Sequence, residues 1–231
     1  MRFRWLVCLA VLAGFMSVPV LAQTPHDDAI STALGVYAVN VVKTPPFEKQ
    51  VTGYGVYLGQ GMVLTAAHVV GHWPAFTDPR VLVAGQDLPA KVIKKGSFHT
   101  VDLALLSVNE DRLPVSLGLR RNPLCKAPAR IGAQVVDVIP GKIIRTQIVS
   151  SLLIPPAVQK RFDNLIDMPQ ESGSGIFDPE RQCLLGIVSA KVVKYAYQKQ
   201  NGRAVWAPDG FAGYFVSAAK IAAFLPEGLH Y

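Results

Sequence analysis

The sequence predicts an all-β fold: two antiparallel six-stranded-type β-barrels, a site between them and a short C-terminal helix. Three observations carry this expectation. Apolar segments of period two dominate the chain. Turns containing Gly or Pro separate them at short intervals. One convincing helical pattern is present, at the C-terminal end. Many short strands with one terminal helix point to a sandwich or barrel rather than alternating βα units.

The first set of strands is expected at Leu34–Val42, Gly53–Leu58, Met62–Thr65, Arg80–Val83, Ala90–Lys94 and Leu103–Val108. A polar stretch rich in Pro and Arg, residues 109–130, interrupts the pattern. The second set follows at Ala133–Ile139, Lys142–Val149, Gly175–Phe177, Leu184–Lys191 and Gly213–Val216. The interruption therefore divides an N-terminal barrel, about 30–112, from a C-terminal barrel, about 128–216. Tyr195–Trp206, with Asn201-Gly202 inside it, reads as a hairpin or a long loop. The helix is expected over 217–225, with Ser217 as N-cap and Pro226 as the stop.

The N-terminal end reads as a leader, not as part of the fold. Arg2 and Arg4 precede an apolar run from Trp5 to Val18, and Val20-Leu21-Ala22 suits a signal peptidase. The run is short for a membrane span. Residues 1–22 are thus expected to be a signal peptide and 23–231 the working domain, 209 residues of the 231. The protein is expected to be exported, to the periplasm or the extracellular space. No apolar run after Ala22 is long enough to span a bilayer.

Charge and cysteines narrow the classes further. Loss of Arg2 and Arg4 lowers the formal charge from +7 to +5. The basic residues are scattered and have no aromatic-basic repeat, which argues against a nucleic-acid partner. Cys125 and Cys183 survive cleavage. In an oxidising compartment a single disulfide between them is expected, with two buried free thiols as the alternative. No Cys/His spacing suits zinc, and neither a metal nor an organic cofactor is expected.

Three segments bear chemistry. Thr65-Ala66-Ala67-His68 ends an apolar strand, Asp102-Leu103-Ala104-Leu105-Leu106 opens another, and Glu171-Ser172-Gly173-Ser174-Gly175 forms a small-residue turn. A serine hydroxyl is a weak nucleophile at neutral pH and needs a base within hydrogen-bond reach. Imidazole suits that role because its pKa lies near neutrality. A buried carboxylate on the far ring nitrogen fixes its tautomer and stabilises the imidazolium. The three residues occur in the chain order His, Asp, Ser.

Together these segments resemble the chymotrypsin-like (trypsin-like) serine proteases, especially their secreted bacterial branch. Leu184-Leu185-Gly186-Ile187-Val188-Ser189 resembles the strand that lines the family's substrate cleft, and Tyr214-Phe215-Val216 before a terminal helix also fits. The resemblance implies His68 as general base, Asp102 as its orienting acid and Ser172 as nucleophile. Placing Ser172 at the family position keeps the following strand-turn-strand hairpin, whereas Ser174 would spoil it. The resemblance implies an oxyanion hole from the amides of Gln170 and Ser172, with Gly173 nearby, and a cleft near Ile166, Ser189 and Lys191. Gln170 stands where the family has glycine, and Glu171 where it has aspartate. The sequence near Gln23 does not resemble the family's activating N-terminus, so no such zymogen switch is expected. The expected function is serine endopeptidase, acting as a monomer on protein or peptide substrates. The alternatives are a catalytically impaired homologue that binds peptides or proteins, and an esterase with the same triad.

Overall fold

The computed structural model describes residues 33–43, 51–71, 78–119, 121–168 and 171–229. The expected leader and Gln170 lie outside them. Thirteen strands among the described residues form two antiparallel sheets, as the all-β expectation required.

The first sheet contains β1 (Ala38–Lys43), β2 (Val51–Gly59), β3 (Met62–Thr65), β4 (Arg80–Val83), β5 (Gln86–Pro89), β6 (Lys91–Lys95) and β7 (Ala104–Ser107). Their order is β5-β4-β1-β2-β3-β7-β6. The two edge strands, β5 and β6, follow one another in the chain with only Ala90 between them. The sheet must therefore curl until its edges meet at Ala90. No ladder joins β5 to β6, so this half is a curled seven-stranded sheet rather than a hydrogen-bonded six-stranded barrel. Pro89, which has no N–H, ends β5, and the Ala90 amide turns away to the Pro79 carbonyl at 2.8 Å. β1 begins at Ala38, later than the period-two pattern suggests, because residues 33–35 form a helical turn.

The second sheet is a closed barrel, β10-β13-β12-β11-β8-β9. Its strands are β8 (Gln134–Ile139), β9 (Lys142–Val149), β10 (Leu165–Ile166), β11 (Gly175–Asp178), β12 (Cys183–Gln200) and β13 (Arg203–Ser217). The two-residue β10 closes it by pairing with both β9 and β13. β12 and β13 run well past their expected ends, paired from Gly186–Ser217 out to Gln200–Arg203. Asn201 and Gly202 join them at φ 49° and 78°, the left-handed pair that a tight hairpin turn requires. Tyr195 stacks on Trp206 along this arm, which explains why the segment is a hairpin and not a loop.

Besides the turn at 33–35 and two 3-10 turns, Glu110–Arg112 and Ser151–Leu153, the described residues form four short α-helices: α1 (Ala67–Val70), α2 (Val115–Gly118), α3 (Pro156–Gln159) and α4 (Ala218–Phe224). Ser217 precedes α4 as expected but makes no side-chain capping bond. The helix is held by its apolar face, Ala218, Ile221 and Phe224. No helix among the described residues is long and apolar enough to cross a membrane.

The core has three parts. Val39, Val41, Tyr57, Val63 and Val81 fill the first sheet. Val135, Ile148, Ile166, Ile176, Val188 and Phe215 fill the barrel. Between them, Val56, Leu58, Leu64 and Leu105 of the first half meet Val136, Val138, Phe177 and Val216 of the second. This middle layer fixes how the two halves sit, and the site forms along its edge.

Cys125 and Cys183 form a disulfide that spans 58 residues. Replacing both cysteines by alanine is expected to lower unfolding stability by about 4 kcal/mol. Urea unfolding of the variant against the oxidised wild type measures this.

Candidate active site

His68 lies on the four-residue helix α1, directly after β3. Two lysines fasten the end of that helix. Lys43 Nζ donates to the Val70 carbonyl at 2.6 Å, and Lys95 Nζ donates to the Gly71 carbonyl. Burial and the neighbouring Lys43 charge lower the Lys95 pKa. Neither lysine stands out in the sequence. Nothing in a strand-end lysine signals which carbonyl it will reach.

Asp102 sits just before β7, where the Leu103 amide folds back to the Val101 carbonyl at 2.9 Å. Its carboxylate is 4% exposed. One oxygen accepts the His68 backbone amide at 3.0 Å. The other lies 2.7 Å from His68 Nδ1 and accepts the Ser189 hydroxyl at 2.6 Å. Burial alone would raise the Asp102 pKa. The bonds from His68 and Ser189, with the attraction of His68, outweigh burial and hold it below the ordinary value. His68 remains about one-third exposed and is braced edge-on by the Phe98 ring at 6.3 Å. The carboxylate thus fixes the ring from its Nδ1 side.

Ser172 and Ser174 have different surroundings. Ser174 is fully buried, and its amide and hydroxyl both donate to the Glu171 carbonyl, at 3.2 and 2.8 Å. It is a turn residue with its hydroxyl already engaged. Ser172 is only partly buried. Its carbonyl accepts the Tyr54 amide at 3.0 Å. A Cβ placed on Gly53 would lie within 3.1 Å of that carbonyl and also touch Val69, the residue after His68. The turn therefore brings Ser172 beside the helix that carries His68. Gly173 makes the approach possible, since at φ +89° its Cβ would lie 1.9 Å from the Tyr54 carbonyl.

Several expected roles need correction. The Gly173 amide donates to the Val188 carbonyl at 2.8 Å, so it is not available to an oxyanion. Ile166 is fully buried in the barrel core on β10 and does not line a cleft. As half of the two-residue β10 it pairs with both β9 and β13, which holds it inside the barrel. Ser189 is 3% exposed, donates its hydroxyl to Asp102 and lines the cavity beside it. Lys191 Nζ lies 3.9 Å from the Phe211 ring across the hairpin, which engages its charge. Asp167, the acid next to Ile166, pairs with Lys194 at 2.6 Å. Gln170 lies outside the described residues.

A cavity of about 200 Å³ opens beside Asp102 and Ser189, with Phe98, Arg161, Phe162 and Tyr214 among its walls. Arg161 bridges the two halves there, donating to the Phe98 carbonyl at 2.9 Å and lying over both the Phe98 and Phe162 rings. Among the described residues no cluster of three or more His, Cys, Asp or Glu could hold a metal ion.

No family model and no curated protein sequence matches this chain. Solved structures match in fold. The Rv3671c protease from M. tuberculosis, in its active form, aligns with a TM-score of 0.59 at 21% identity, over 93% of this chain and 92% of that one. Its inactive form gives 0.57 at 21% identity, over 90% and 97%. The serine endoprotease from Yersinia pestis gives 0.56 at 18% identity, over 87% of this chain and 65% of that one. The chain therefore has the fold of the chymotrypsin-like serine proteases.

Gly173→Ala is expected to disrupt the turn, because it forces a side chain into the left-handed region and against a backbone oxygen. A loss of at least about 2 kcal/mol in thermal or urea unfolding is expected. A variant as stable as wild type contradicts the placement of the turn.

Proposed function

We propose that this protein is an exported serine endopeptidase that cleaves peptide bonds through His68, Asp102 and Ser172. The observation that carries the reading is the bonding of Asp102. A buried carboxylate that holds an imidazole through Nδ1, and is itself held by a backbone amide and a serine hydroxyl, suits a general base at the mouth of a cleft. The fold supports the same reading.

In the proposed reaction the Ser172 hydroxyl oxygen attacks the peptide carbonyl carbon. His68 Nε2 takes the hydroxyl proton, and Asp102 stabilises the imidazolium without accepting it. The resemblance assigns the developing oxyanion to the amides of Ser172 and Gln170, and each such donor is worth ~3 kcal/mol in the transition state. Collapse breaks the C–N bond, and His68 returns the proton to the leaving amine. A water molecule, deprotonated by His68, then attacks the acyl-enzyme and releases the acid. No metal or organic cofactor takes part.

Residues 1–22 are proposed to direct export, and the Cys125–Cys183 disulfide is compatible with the oxidising compartment that export reaches. The partners are then proteins or peptides in that compartment, and the protein acts as a monomer.

Purified mature protein is expected to hydrolyse members of a peptide library, and His68→Ala is expected to lower kcat/KM by about 10⁴-fold or more. Folded protein that leaves the library intact overturns the reading. Activity that survives His68→Ala also overturns it. The depressed Asp102 pKa gives a second readout. A group with a lowered folded pKa adds stability above its unfolded pKa, and that stability is lost as pH falls through the folded value. Asp102→Asn is therefore expected to flatten the acid side of the stability profile, measured by thermal unfolding from pH 7 down to pH 3.

A further inference from the structure

Asp137 is a carboxylate in an apolar strand. It lies mid-way along β8 in the run Val135-Val136-Asp137-Val138, and it is fully buried. Neither carboxylate oxygen has a hydrogen-bond partner among the described residues. Asp137 stands opposite Ile144 on β9 and Ile176 on β11. Val135, two residues away on the same face, belongs to the barrel interior with Ile148, Ile176, Val188 and Phe215. The polar groups on this face of β9 are Thr146, opposite Val135, whose hydroxyl is buried without a partner as well, and Lys142, exposed at the start of the strand opposite Ile139. Arg145 stands opposite Val136, on the alternate face of the pleat.

The carboxylate also borders the nucleophile turn. Ser174 lies close enough to favour its charged form, and the one charged group that bears on it is Glu171, which disfavours that form. Ser174 and Glu171 are the two residues whose bonds close the turn around Ser172.

We propose that Asp137 is a positioning residue for the nucleophile turn, acting through the Ser174 hydroxyl, which can donate either to the Glu171 carbonyl or to the Asp137 carboxylate. When Asp137 is protonated, the hydroxyl stays on the Glu171 carbonyl and the turn is closed, the arrangement seen here. When Asp137 loses its proton it becomes a buried charge with only the Val138 backbone amide to favour it, and the Ser174 hydroxyl is the side-chain donor at hand. Taking that donor frees the Glu171 carbonyl, and repulsion between the two carboxylates opens the turn further. The switch moves one proton to solvent and one hydrogen bond between acceptors. Its catalytic consequence rests on the protease reading above. The conformational switch itself does not.

Burial pushes the Asp137 pKa up to about 7, which places the switch near neutrality. The sign follows directly. The folded pKa lies above the unfolded one, so stability falls as pH rises from the ordinary carboxylate range through about 7.

Two measurements on wild type, Asp137→Asn and Ser174→Ala test this. The first is hydrogen exchange of the 171–175 amides from pH 5.5 to 8.5, corrected for intrinsic rates, which needs no enzymatic activity. Wild type is expected to lose protection about tenfold on crossing pH 7, and Asp137→Asn is expected to show no step. The second is the pH profile of kcat/KM. Wild type is expected to show an alkaline limb near 7 that disappears in Asp137→Asn, with kcat moving more than KM. Ser174→Ala, which removes the shared donor, is expected to show neither step and serves if Asp137→Asn does not fold. Flat wild-type protection overturns the proposal, as does a step of equal size in both variants. Inactive protein with the exchange step intact defeats the protease reading and leaves the switch standing.

Discussion

The bonding of the buried Asp102 carboxylate is the interaction on which the rest of the site depends. A carboxylate at this depth is costly unless its oxygens are occupied. Here they are, and the donors come from both halves of the molecule. The His68 amide and ring belong to the first sheet, and the Ser189 hydroxyl belongs to β12 of the barrel. The surrounding interface is a layer of Val, Leu, Ile and Phe side chains. Such a layer resists separation but sets relative position only coarsely. Three directed bonds at one point add the register that apolar packing lacks. The site is thus also the polar pin between the two halves.

The same economy governs the turn that carries Ser172. Its backbone is held from three directions: Tyr54 of β2 on the Ser172 carbonyl, Val188 of β12 on the Gly173 amide, and Glu171 within the turn on Ser174. β2 pairs with β3, the strand that leads into the helix of His68, and β12 itself carries Ser189. Any shift between the halves would therefore disturb the turn and the carboxylate together. Asp137 enters this arrangement from below, as the group whose charge acts on the turn without touching Ser172.

The strand pattern and the terminal helix were legible in the sequence because period-two apolarity reports a half-buried sheet directly. His68, Asp102 and Ser172 stood out because each sits in a short string whose residue types suit its place. Other features depended on distance in space. β10 is two residues long, too short to show a period, yet it closes the barrel. Ile166 was carried over from the resemblance, but it lies on that same short strand and is fully buried in the core. Ser189 read as a cleft residue because its segment resembles the strand that lines the family's cleft, but the sequence does not say that its hydroxyl turns to Asp102. Asp137 did carry a signal, a charge within Val135-Val136-Asp137-Val138, and a buried carboxylate there needed an explanation from the start. Lys43 and Lys95 carried none.

The central claim is that this geometry makes Ser172, and not its neighbour Ser174, a nucleophile. The most direct measurement treats folded protein with a fluorophosphonate and maps the modified residue by mass spectrometry of its peptides. The account predicts a single adduct on Ser172 that is absent after His68→Ala, because the hydroxyl is activated only by the imidazole that Asp102 holds. An adduct on Ser174, or folded wild-type protein that stays unlabelled, would contradict it.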